Sequence, residues 1–102
     1  MRKLVSKGEL VGGFVVPPDY VNARALAANT EESTTVPTGA SLVRFKCTAD
    51  FYCVIGATAT VPGDTTDGSA CELNPVGYIV YPGQVIHVIS ASNSVITFSY
   101  YK

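Results

Sequence analysis

The sequence predicts an all-β fold: a small antiparallel β-sandwich or jelly-roll-like barrel with an extended N-terminal arm. Three observations predict it. Apolar and polar residues alternate with a period of two in several short runs, the repeat of a strand with one buried face. Val, Ile, Thr, Tyr and Phe fill those runs, and Pro, Gly, Asn and Asp punctuate them. Helical signals are nearly absent: only residues 21–29 have room for two turns, and no convincing cap precedes them.

Residues 1–24 read as the arm. They have little periodicity and contain Gly8, Gly12, Gly13 and the stiff pair Pro17-Pro18. Proline fixes its own φ and lacks an amide hydrogen, so the pair favours an extended chain. Val11, Phe14, Val15 and Val16 are too apolar for a free tail. With Tyr20 they are the expected contacts of an arm that packs against its own domain or a neighbouring subunit.

Residues 25–102 read as the β domain. Val43, Phe45 and Cys47 alternate with Leu42, Arg44, Lys46 and Thr48, which sends the charged set to the opposite face. Ile96, Phe98 and Tyr100 alternate with Val95, Thr97, Ser99 and Tyr101 in the same way. Ile86 and Val88 alternate with Val85, His87 and Ile89, with both faces largely apolar. Shorter runs at 58–61 and 78–81 are weaker strand candidates. A Pro-Gly turn, a strand, a short polar break and a second strand occur twice, starting at Val36-Pro37-Thr38-Gly39 and at Tyr81-Pro82-Gly83. This echo predicts two hairpins. The longest irregular stretch, 62–70, is a loop, and Asp64, Thr65, Thr66 and Asp67 within it are candidate partner contacts.

Composition narrows the function classes. The chain has 102 residues, the size of one domain. Charged residues make up 15%, low against the usual ~25%, as expected where a partner covers part of the surface or where a β-rich core lowers the charge. Net charge is −1, and no basic cluster lies beyond Arg2, Lys3 and Lys7, so no nucleic-acid partner is expected. No apolar stretch approaches the ~20 residues of a membrane helix. Lys7 and Glu9 interrupt any signal-peptide core. The odd count of cysteines (Cys47, Cys53, Cys71) predicts reduced thiols and folding in a cytoplasm.

Reactive chemistry finds little to stand on. His87 is the single histidine, no Gly-x-Ser-x-Gly elbow occurs, and no serine-histidine-acid set is spaced for catalysis, so no enzyme is expected. The cysteines and His87 lack the two close ligand pairs of structural zinc. Asp64 and Asp67 supply too few oxygens for calcium. No metal or cofactor is expected. Six tyrosines without tryptophan favour protein contact over a sugar platform.

The run Thr35-Val36-Pro37-Thr38-Gly39-Ala40-Ser41-Leu42-Val43-Arg44-Phe45, then Thr48-Ala49-Asp50-Phe51-Tyr52, Ala57-Thr58-Ala59-Thr60-Val61-Pro62 and Thr66-Asp67-Gly68-Ser69-Ala70-Cys71-Glu72-Leu73-Asn74-Pro75, resembles small virion proteins of tailed bacteriophages. The resemblance covers about residues 23–101 and is a pattern of turns and strands. It implies a capsid decoration (cement) protein on the capsid exterior, a β-fold that clamps the major capsid protein, commonly as a homotrimer. In such a trimer, Val85, His87, Ile89, Val95 and Tyr101 are the expected oligomer interface. A tail, neck or head-fibre component, or a carbohydrate-binding module for host attachment, are the competing expectations.

Overall fold

The computed structural model describes residues 10–11, 14–15 and 17–102. Among them it contains ten strands and no helix. Strands β1 (Leu10–Val11) and β2 (Phe14–Val15) pair antiparallel as a separate two-stranded ribbon. The other eight are β3 (Tyr20–Leu26), β4 (Glu32–Thr35), β5 (Leu42–Cys47), β6 (Tyr52–Ile55), β7 (Glu72–Leu73), β8 (Gly77–Ile79), β9 (Val85–Ile89) and β10 (Ser94–Tyr101). They form two four-stranded sheets, sheet I in the order β3-β10-β5-β8 and sheet II in the order β4-β9-β6-β7.

The pairing has a simple origin. β3 lies against β10, β4 against β9, β5 against β8, and β6 against β7, all antiparallel. The chain is therefore one long doubled ribbon whose apex is the segment 56–71 between β6 and β7. Rolling that ribbon up brings β10 against β5 and β9 against β6. The result is the eight-stranded jelly roll, one of the two architectures the sequence predicts.

Residues pointing between the sheets make the core. Val43, Phe45, Phe98, Tyr100 and Ile96 come from sheet I, and Cys53, Ile86 and Val88 from sheet II. Phe45 sits at its centre. Its ring lies 5.4 Å from Tyr78, 5.8 Å from Phe98 and 5.8 Å from Phe51, with tilted or edge-on geometry. Such aromatic pairs add about 0.5–1.5 kcal/mol each beyond the area they bury. Ser90, the buried polar residue of the core, donates from Oγ to the Asp50 carbonyl at 2.7 Å and accepts from the Ser92 amide at 3.2 Å. The Tyr100 hydroxyl is buried near Thr34 without reaching hydrogen-bond geometry, and burial pushes its pKa up.

Several expectations need correction. Residues 20–26 are neither arm nor helix but an edge strand, paired with β10 from Tyr20↔Tyr100 to Ser94↔Leu26. The β domain thus starts before residue 25. The described part of the arm is a paired ribbon rather than a single extended strand. Both repeats of the Pro-Gly, strand, turn, strand pattern are arches, not hairpins: β5 and β6 lie in opposite sheets, as do β9 and β10. Cys47 and Cys53 accordingly lie on strands of opposite sheets, and all three cysteines are free thiols. Residues 58–61 form no strand. The runs at 42–47, 85–89 and 94–101 are strands as expected, and the 78–81 candidate overlaps β8.

Candidate interaction face

The two sheets differ in what lies on their outer sides. On sheet II the chain covers itself. The apex segment 56–71 folds back so that Ala59 and Cys71 pack with Ile89, and with the half-buried Tyr52 and Val54, in a second apolar cluster. Glu31 pins the segment in place. Its Oε2 accepts from the Ala59 amide at 2.6 Å and lies 3.0 Å from His87 Nδ1. A carboxylate only accepts, so His87 donates from Nδ1 in this contact. Residues on both sides of β9 are thereby covered, which explains why both of its faces are apolar.

Glu31→Ala is expected to release this segment. Hydrogen bonds to a charged group contribute about 1.5–3 kcal/mol, and two are lost at once. Cys71, at the end of the segment and only 8% exposed where it packs with Ile89, reports the release. Cys53 is silent, because burial pushes its thiol up to about 12 and leaves almost no thiolate at neutral pH. In a Cys47→Ala background, Cys71 should label with a thiol reagent roughly tenfold faster in Glu31→Ala. An unchanged labelling rate would mean that Glu31 is not the clasp.

Among the described residues, the outer side of sheet I is bare over most of its area, apart from the end row, where Tyr101 is only 2% exposed. The strand registers place the outward residues in cross-strand rows. Ile79, Leu42 and Tyr101 form the first row; Gly77, Arg44, Ser99 and Val21 the second. Lys46, Thr97 and Ala23 form the third, with Val95 and Ala25 in the last. Ile79 is 78% exposed, Val21 54% and Val95 45%. Alternation alone aims these apolar side chains at solvent, since their neighbours Tyr78, Ile96 and Phe98 fill the core. Arg44 and Lys46 are the charges in the rows, on β5 near the middle of the face. No ion pair between described residues reaches either one. Arg24, by contrast, is spent at the β3/β4 edge, 3.5 Å from Glu32 and donating to the Ser33 carbonyl.

An open groove of about 420 Å³ continues this face beyond the end of β8. Arg44, Lys46, Thr48, Asp50, Asn74 and Val76 line it. Asp50, the groove's carboxylate, accepts from Asn74 Nδ2 at 3.0 Å. A smaller hollow of about 210 Å³ lies by Asp19, Tyr20, Pro37, Thr38, Tyr101 and Lys102. Ligand pockets usually enclose ~300–1,000 Å³, and Tyr100 and Tyr101 are buried, so Tyr20 alone offers a ring there. No group of three or more metal-ligating side chains converges among the described residues.

The sequence-predicted contacts do not gather into one patch. Val95 lies on the bare face. Tyr101 shares that face by register but is only 2% exposed, so it is not available as interface. Val85, His87 and Ile89 point out of the other sheet. Ile89 is buried under segment 56–71, and His87 is engaged by Glu31. Asp64, Thr65, Thr66 and Asp67 are exposed in the apex segment. Asp67 accepts from the Ser69 amide and hydroxyl, which holds its carboxyl below the usual range and makes a turn. Val11, Phe14 and Val15 are described by their strand pairing alone, and Val16 lies outside the described residues. Tyr20 is half exposed on β3, its ring 6.1 Å from that of Tyr100. Sequence reasoning missed Val21, Ile79, Arg44 and Lys46 as a set. The alternation in 42–48 already sent the two cations outward; what was lacking was the neighbouring strand β3. No protein-family model matches the chain, and neither does any curated protein or solved structure.

Proposed function

We propose that the chain is a non-enzymatic structural protein of a tailed-phage virion, a decoration protein that braces the head by bridging major capsid subunits. One observation carries this reading: among the described residues, the sandwich covers the middle of one sheet with its own segment 56–71 and leaves exposed apolar side chains, Val21, Ile79 and Val95, on the outer side of the other. Apolar patches of more than a few hundred Å² are uncommon on solitary soluble proteins and mark contact surfaces. Jelly rolls recur in virion and lectin domains, an analogy of fold that supports the reading without carrying it. Bracing asks only for binding energy across a seam. Several copies acting together multiply weak contacts into strong attachment without new chemistry.

Counting copies per particle tests the reading. A decoration protein should be present at hundreds of copies, on the order of the number of capsomer seams, and heads lacking it should burst at lower temperature. A handful of copies per particle would instead place the chain in a tail or neck.

A further inference from the structure

We infer that the outer face of sheet I docks onto an acidic, otherwise apolar protein surface, with Arg44 and Lys46 as its central charge anchors. This rests on the proposed function, and it names the chemistry of the partner.

The charge pattern selects the occupant. The outward rows hold two cations, side by side on β5, and no carboxylate. A second copy of the chain is a poor partner. Stacking two identical faces would bring four cations toward one another in a desolvated seam, and like charges there cost several kcal/mol. A nucleic acid is a poor partner too. Two cations neutralise few phosphates, and Val21, Ile79, Ala23, Ala25 and Val95 around them have nothing to offer a phosphate backbone. A protein surface that places carboxylates opposite β5 and apolar side chains opposite β3 and β8 satisfies both parts. Arg44 can hold a carboxylate through two parallel hydrogen bonds, whereas Lys46 acts as a point charge.

Size sets how this contact works. Strands lie ~4.8 Å apart and rise ~3.3 Å per residue, so the face measures roughly 19 by 23 Å, about 450 Å². A stable standard interface buries about 800 Å² per partner. Val76 and Tyr81, 76% and 67% exposed along the β8 edge, extend the face toward that value without reaching it decisively. One face therefore binds weakly and is held by the simultaneous docking of several copies.

The test uses heads freed of this chain, mixed with the purified full chain and cosedimented across a range of NaCl concentrations. Wild type is compared with the double variant Arg44→Glu/Lys46→Glu and the conservative Arg44→Lys. Thermal melts confirm that each variant is folded, as both side chains point to solvent. Wild-type affinity should fall steeply with salt, and the double reversal should lose about 100-fold or more. Arg44→Lys should retain most of the binding, because the charge stays. If wild type binds and the double reversal binds equally well, or salt has no effect, the acidic docking face is wrong while the decoration role stands. If wild type does not bind heads at all, the decoration role fails and takes this inference with it.

Discussion

Replacing Phe98 with alanine is expected to destabilise the domain by about 3–5 kcal/mol, the usual cost of truncating a fully buried phenylalanine. The position explains the size. Phe98 has 0% exposure and lies on β10, which is flanked by β3 on one side and β5 on the other. Its ring meets Phe45 edge-on at 5.8 Å, and Phe45 in turn touches Phe51 and Tyr78. Removing it opens a cavity that β-sheet backbone on both sides cannot collapse to fill. A domain of this size has about 5–15 kcal/mol of stability in all, so the variant is left marginal. Urea unfolding checks this: the midpoint should drop sharply while the slope m stays unchanged. Phe98→Leu, which keeps most of the volume, should cost less than half as much. A loss below about 1 kcal/mol for Phe98→Ala would mean that the centre of the sandwich is not the aromatic cluster around Phe45.

What could be read from the sequence was what alternation encodes. β5 and β10 were legible because each buries one face and solvates the other. β9 was legible as a strand, but its second apolar face was read as an exposed interface. Nothing local says that segment 56–71 will fold over Ile89. β3 was hidden because its inward positions Asn22 and Arg24 are polar and line the open edge of the sandwich, leaving Leu26 as its one buried residue. β4, with the sequence ESTT, has no apolar residue and owes its strand to pairing with β9. Residues 58–61 show the reverse: strand-like composition with no partner strand. The sheet to which each strand belongs was illegible for a related reason. Turn chemistry is the same in a hairpin and in an arch, and only non-local pairing separates them. The bare face became visible only when β3, β10, β5 and β8 were placed side by side. Its cations and Val95 stand out in the sequence; Val21 and Ile79 do not.

Gly77→Ala is the substitution expected to do the most harm for the fewest atoms. The reason is space, not backbone conformation, since φ at Gly77 is not positive. Gly77 stands opposite Arg44, where β8 runs alongside β5. An added Cβ would press into the Val43 carbonyl oxygen and come within 3.3 Å of the Arg44 Cα. Both are backbone atoms, and β5 cannot retreat because β10 holds its other side. β8 must therefore peel away. That puts at risk the hydrogen bond from the Phe45 amide to the Val76 carbonyl, 3.0 Å long, and the edge-on contact of Tyr78 with Phe45. It also disturbs the Tyr78 hydroxyl, which donates to Glu72 and ties β8 to β7. Overpacking against a rigid neighbour costs about 1–3 kcal/mol, and the frayed ladder places this case at the upper end. For a domain of this length that lowers the melting temperature by roughly 10–20 °C. Amide exchange locates the damage: the Phe45 amide should lose protection while the Thr48 amide, bonded at 3.1 Å to the Val95 carbonyl on the far side of β5, keeps it. A melting temperature within about 2 °C of wild type would show that β8 has room to spare and does not fix the edge of the docking face.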